Sequence, residues 1–186
     1  MKAGAIDKGI ALLIKGSPYI VVEREFVNPG KGSAFVRLKL KSPENGKVLK
    51  ETMKTQDQVE EIIVEDKECQ YLYSDEENFH FMDTSTYDQF EIPVEGFADY
   101  KLLMKDGDTY KVIMWEDKPL DIIIPFKVVY EVTEAFEGVK GDTVQGASKL
   151  VTIETGLEVK VPIFIKQGER IMINTETKEY VERVNS

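Results

Sequence analysis

At 186 residues, with 42% apolar and 10% aromatic side chains, the chain can form one large domain or two to three small ones, and its composition excludes wholesale disorder. A single cysteine, Cys69, excludes an intrachain disulfide and a multi-cysteine zinc site. The absence of a signal-peptide pattern and of an apolar run near ~18 residues predicts a soluble, cytoplasmic protein with no membrane contact.

The net charge of −10 is unevenly distributed. Residues 1–63 carry 11 Lys and Arg against 8 Asp and Glu, residues 64–126 carry 5 against 16, and residues 127–186 carry 8 against 10. Screening confines exposed charges to about 8–10 Å in physiological salt, so the local sign at a contact surface outweighs the total. The basic first third can meet phosphate, while the acidic middle third discourages indiscriminate binding.

The first third reads as short strands and turns: Ile10 to Ile14, a Lys15-Gly16-Ser17-Pro18 turn, a hairpin, an Asn45-Gly46 turn and Val48 to Met53. Several short strands in about 60 residues predict a small closed or nearly closed barrel. The hairpin runs from Tyr19 to Val27 and from Ala34 to Lys41, joined by Asn28-Pro29-Gly30-Lys31-Gly32-Ser33. Pro29 pre-sets its φ and Gly30 tolerates positive φ, which suits a type II turn, and Gly32 adds a second permissive joint. Alternation puts Val36, Leu38 and Leu40 on a core face and Arg37, Lys39 and Lys41 on a cationic rail. Lys31 is the one long side chain at the tip. With roughly eight residues per arm at ~3.3 Å each, its amine stands about 25 Å from the far end of the hairpin, as a probe for a narrow place.

The middle third opens with Gln70-Tyr71-Leu72-Tyr73, an acidic turn and Phe79-His80-Phe81-Met82, a strand-turn-strand pattern. Pro93 to Tyr100 reads as a loop leading into one short helix over Lys101 to Met104, and strands resume at Thr109 to Trp115 and Leu120 to Ile124. This count fits a five-stranded barrel of the oligonucleotide-binding kind. The last third gives Val128 to Val132, Leu157 to Val161, Ile163 to Ile165, Ile171 to Ile173 and a hairpin across Thr175 to Lys178. Its rhythm matches the middle third, which predicts two related barrels in series. The chain thus divides at 1–63, 64–126 and 127–186.

Several chemistries find no support. A phosphate loop needs a glycine five positions before Gly30 and Ser or Thr after the lysine, where Glu25 and Gly32 stand. His80 alone lacks partners for a triad or metal set, and Cys69, with Asp66 and Glu68 nearby, reads as an inert thiol. Tyr71, Tyr73, Phe79 and Phe81 could stack nucleobases, but the middle third has no arginine and only five lysines, so core packing is favoured. No nucleophile, base or metal set emerges, so neither enzymatic activity nor a metal or other cofactor is expected.

The motif Pro29-Gly30-Lys31-Gly32-Ser33-Ala34-Phe35-Val36-Arg37-Leu38-Lys39-Leu40 resembles the tip and strand of the bacterial elongation factor P family. The resemblance continues through Tyr71-Leu72-Tyr73, Phe79-His80-Phe81-Met82, Val139-Lys140-Gly141-Asp142-Thr143, the segment from Thr155 to Pro162, and Glu179-Tyr180-Val181-Glu182-Arg183-Val184. It implies a mainly β chain, an SH3-like or KOW-like barrel followed by two OB-fold barrels in an elongated, tRNA-like shape. It also implies a monomer that binds the ribosome, rRNA and peptidyl-tRNA and relieves stalling at consecutive prolines. Lys31 matches the tip position that reaches the peptidyl-transferase centre, where many members carry a covalent extension added by a lysine-modifying enzyme. Tyr180 and Arg183 match positions associated with RNA contact, and Arg37, Lys39 and Lys41 become candidate phosphate contacts. The chain departs from the family in having Gly96-Phe97-Ala98 where Gly-Asp-Asn is frequent, and Val151 where alanine is preferred. Lysine at the tip argues against the branch with a rhamnosylated arginine. The alternative reading is a non-ribosomal, single-stranded RNA-binding module that uses the middle-third aromatics.

Overall fold

The structure, a computed structural model, describes residues 1–136 and 148–184. The motif from Val139 to Thr143 lies outside the described residues. Three five-stranded antiparallel sheets follow one another along the chain.

The first contains β1 (Ala11–Ile14), β2 (Ser17–Val27), β3 (Phe35–Lys41), β4 (Val48–Lys54) and β5 (Glu60–Glu61), in the order β4-β3-β2-β1-β5. Its core is Leu12, Val21, Val36, Leu38 and Leu40 together with Ala3 and Ile6 from an N-terminal 3-10 turn, all at most 1% exposed. The alternation read in β3 therefore holds, and truncating Leu38 to alanine would cost about 2–5 kcal/mol. The β1–β2 turn is tighter than expected. Lys15 and Gly16 alone form it, and Ser17 and Pro18 already belong to β2. Pro18 is tolerated because β2 pairs with β3 only from Ile20 onward, so no β3 acceptor lies opposite its missing N–H.

The second sheet contains β6 (Glu65–Ser74), β7 (Asn78–Asp83), β8 (Gln89–Pro93), β9 (Thr109–Trp115) and β10 (Lys118–Ile123), ordered β10-β9-β6-β7-β8. The third contains β11 (Lys127–Ala135), β12 (Ser148–Ile153), β13 (Glu158–Pro162), β14 (Arg170–Asn174) and β15 (Glu179–Val184), ordered β13-β12-β11-β14-β15. Counted from each sheet's own first strand, both read third-second-first-fourth-fifth. That shared connectivity is the repeat anticipated from the rhythm of the sequence.

Three local expectations are corrected. Ile163 to Ile165 is no strand: Pro162 ends β13, Ile165 N–H donates to Pro162 O at 3.2 Å, and only Ile165 turns inward. β12 is a strand that the sequence pattern does not mark, because Leu150, 58% exposed, breaks its apolar alternation. The passage after Pro93 forms two 3-10 turns, Val94–Gly96 and Ala98–Leu102, rather than a loop and one helix.

The chain packs as two compact units, Met1–Ala98 with Thr109–Ile123, and Asp99–Asp108 with the chain from Ile124 onward. In the first unit the first two sheets share an apolar cluster of Ala11, Ile20, Ile62 and Leu120. In the second unit Leu103 enters the core of the third sheet, where Tyr130 Oη donates to Leu103 O at 2.6 Å and Thr155 Oγ1 to Leu102 O at 2.7 Å. Among the described residues no helix is long and apolar enough to cross a membrane.

Candidate nucleic-acid interface

The ladder between β2 and β3 runs from Ile20 opposite Lys41 to Val27 opposite Phe35. β4 backs β3 along its whole length, and Thr55 N–H donates to Ala34 O at 3.1 Å, one residue beyond β3. Only Asn28-Pro29-Gly30-Lys31-Gly32-Ser33 lies outside this support, and every residue of the six is exposed. Gly30 has φ 73°, the left-handed value that the turn required. Among the described residues no backbone hydrogen bond spans the loop and no side chain pairs with Lys31, so the tip is an open bend on a braced base.

The cationic rail of β3 carries acidic partners from β2. Arg37 Nη1 donates to Glu25 Oε2 at 3.2 Å, and Lys39 pairs with Glu23. Both pairs follow from the register, Glu25 opposite Arg37 and Glu23 opposite Lys39. Simple alternation from Val21 would turn Glu23 and Glu25 toward the core. A bulge between Val21 and Glu23 turns them to the outer face instead, and sends Arg24 inward, where it donates to Gly4 O at 3.1 Å. The face retains a positive balance because β4 adds Lys50, opposite Lys39, and Lys54, opposite Phe35. Those two lysines were legible in the period-two pattern of Val48 to Lys54. Lys41 is placed differently from Arg37 and Lys39: its Nζ lies 4.8 Å from the centroid of the buried Phe97 ring.

In the second sheet Tyr71, Phe79 and Phe81 are at most 2% exposed, as core packing requires. Tyr73 is not, at 52%. A bulge between Tyr71 and Tyr73 places Tyr73 opposite His80, and the two rings stack at 4.3 Å. The His80 Nε2–H donates to Asp75 Oδ2 at 2.7 Å, while Asp75 Oδ1 accepts the Glu77 and Asn78 N–H groups. The hydrogen bond from His80, then those two backbone bonds, pull the Asp75 carboxyl down to about 2. Burial first, and the Asp83 carboxylate second, push the Cys69 thiol up to about 11, with Lys67 opposing. Cys69 is thus a poor nucleophile, though Asp83 rather than Asp66 or Glu68 is the carboxylate responsible.

Tyr180 and Arg183 both lie on β15. Three positions apart, they would face opposite ways under simple alternation. A bulge at Val181 sets Tyr180 opposite Ile173 and Arg183 opposite Ile171, both core-facing residues, so the two candidates share one face. Tyr180 packs against the core there, while Arg183 reaches Glu169 Oε1 at 3.4 Å.

Three family models match in series: the elongation factor P KOW-like domain over residues 2–59, the elongation factor P OB domain over 64–122, and the elongation factor P C-terminal model over 128–183. Elongation factor P from Treponema denticola is 50% identical over 186 residues and covers 100% of both chains. Its counterpart from Treponema pallidum strain Nichols is 51% identical over 185 residues, covering 100% of this chain and 99% of the relative. That from Borrelia hermsii is 50% identical over 187 residues, covering 99% and 97%. A solved structure, eukaryotic translation initiation factor 5A from Methanococcus jannaschii, aligns with a TM-score of 0.51 at 22% identity over 67% of this chain and 91% of that one, a likeness of fold. With all three modules matched in order and half of all positions identical end to end, the chain belongs to the elongation factor P family of translation elongation factors.

Proposed function

We propose that this protein binds the ribosome beside peptidyl-tRNA and promotes peptide-bond formation between consecutive prolines, with Lys31 as the group that reaches the reacting end of the tRNA. The observation that carries the reading is the tip: one lysine among small residues, exposed, on a loop of six residues beyond a strand pair that β4 braces along the whole of β3. Proline reacts poorly because its ring fixes φ and its secondary amine constrains approach. A factor without an acid or base can still help by holding the tRNA end and nascent chain in a reactive arrangement, which lowers the entropic part of the barrier. In this reading the three modules divide at 1–63, 64–126 and 127–186, and Pro29, Gly30, Gly32 and Ser33 shape the tip. Arg37 and Lys39, joined by Lys50 and Lys54, meet tRNA or rRNA phosphates, and Tyr180 and Arg183 form a second contact. The protein acts as a cytoplasmic monomer. The exposed Lys31 amine is accessible to a modifying enzyme, and the intact mass of the native protein reports whether it carries an added group.

A free single-stranded RNA-binding role would use the middle aromatics, of which Tyr71, Phe79 and Phe81 are buried. Co-sedimentation separates the two roles. The full chain is expected to pellet with 70S ribosomes carrying peptidyl-tRNA and to bind unstructured RNA weakly. The reverse preference would overturn the ribosomal role.

A further inference from the structure

Arg183 is held on two sides. Its guanidinium lies over the Phe164 ring, 5.5 Å from the centroid, and Nη1 donates to Glu169 Oε1 at 3.4 Å. Glu169 is itself anchored, its Oε2 accepting the Lys166 N–H at 2.8 Å. Both supports come from the connection between β13 and β14. Ile165 fills the core at this point, fully buried, yet its neighbour Phe164 remains 54% exposed. The core therefore gives no reason for a large aromatic at 164, whereas the ring face does: it supports a cation at a cost in exposed apolar surface.

Despite both supports the Arg183 side chain stays 43% exposed, and among the described residues Glu169 is its one hydrogen-bond acceptor. Most of its five N–H donors thus remain available to a partner. A planar guanidinium whose orientation is already fixed loses less rotamer freedom on binding and presents a fork that matches a phosphate. Arg37 in the first sheet has the same pair of supports, the Phe35 ring at 5.4 Å and the Glu25 carboxylate at 3.2 Å.

We infer that Phe164 is a positioning residue for RNA binding: its ring face orients the Arg183 guanidinium toward a phosphate of the bound RNA. The inference rests on the assignment of Arg183 as an RNA contact in the proposed function. It adds a residue that carries no charge and acts through another.

The test measures the affinity of the full chain for 70S ribosomes carrying peptidyl-tRNA across a series of KCl concentrations. Arg183→Gln is expected to lower the salt slope by about 0.7–0.9, the loss of one phosphate contact. Phe164→Ala and Phe164→Leu should lower the slope by most of that amount although no charge changes, while Phe164→Tyr, which keeps the ring face, stays within about twofold of the parent affinity, the range left by a ring contact largely retained. Combining Phe164→Ala with Arg183→Gln should weaken binding no further than Arg183→Gln alone. Thermal unfolding of each variant checks that the fold persists, and a purely structural role for Phe164 would alter the melting midpoint without altering the slope. If Arg183→Gln lowers the slope and Phe164→Ala does not, the role given to Phe164 is wrong while Arg183 stands. If Arg183→Gln leaves the slope unchanged, the RNA contact fails and the inference fails with it.

Discussion

A Cβ placed on Gly46 would stand 2.9 Å from the Gly96 Cα, closer than real Cβ contacts come. The Asn45-Gly46 pair, which from sequence marks a two-residue hairpin turn, instead ends a longer loop in which Gly46 N–H donates to Ser42 O and Ser42 N–H to Lys47 O, each at 2.9 Å. Gly46 has φ 65°, and its bare backbone meets the 3-10 turn Val94–Gly96. Lys41 over Phe97 adjoins this contact, and the Ala11–Ile20–Ile62–Leu120 cluster adds to the joint between the first two sheets. The segment Gly96-Phe97, where the family frequently has Gly-Asp, is thus occupied in packing within this unit.

Gly46→Ala should therefore cost more than a positive φ alone. The left-handed conformation accounts for about 1–2 kcal/mol, and the backbone overlap adds about 1–3 kcal/mol. Gly9, with φ 91° and nothing within 4 Å of an added Cβ, supplies the control, since Gly9→Ala should show only the first cost. Chemical denaturation of both variants checks this. Equal losses would show that the Gly46–Gly96 approach has no energetic weight.

The glutamates on the outer face of the first sheet set the sign of a second prediction. Exposed pairs such as Arg37–Glu25 are worth only about 0–1 kcal/mol to stability, so their removal leaves folding nearly intact. Replacing Arg37 and Lys39 by glutamine should weaken ribosome association and flatten its salt dependence, by about 0.7–0.9 in slope per lost contact. Glu25→Gln should act in the opposite direction, by removing a negative charge from the contact face. Salt-dependent affinity measurements read both, and an unchanged slope in the Arg37, Lys39 double variant would remove the two residues from the interface.

Acid stability reports on the Asp75–His80 contact. The folded-state value of about 2 lies below the ordinary aspartate value of about 3.9, so Asp75 stabilises the folded state above about pH 4 and loses that contribution as pH falls toward 2. Asp75→Asn keeps a side-chain acceptor for the Glu77 and Asn78 amides but does not titrate. The difference in melting midpoint between parent and variant should shrink steadily from pH 4 to pH 2. Parallel curves across that range would contradict the assignment.

Strand alternation was legible wherever a strand runs unbroken, as in Val36, Leu38 and Leu40 or Val159 and Val161, and it was enough to mark two similar barrels after a basic first module. The misread strand faces share one cause. Bulges at Val21/Glu23, Tyr71/Tyr73 and Tyr180/Glu182 each reverse the face of the residues beyond them. That reversal put Glu23 and Glu25 beside the cations, exposed Tyr73, and brought Tyr180 and Arg183 to one face. A bulge is fixed by pairing with a neighbouring strand, and the local pattern carries no trace of that partner. The Lys31 tip was legible because it depends on local chemistry alone: proline and glycines forming a bend between two regular strands.

In the proposed role Lys31 acts as a probe and contributes little to the fold. Reconstituted synthesis of a Pro-Pro-Pro peptide, with Lys31→Ala compared with the parent at saturating factor, tests it most directly. The variant is expected to fold and co-sediment with ribosomes as the parent does, yet to lose most of the acceleration at consecutive prolines. Equal rates with the two proteins would contradict it.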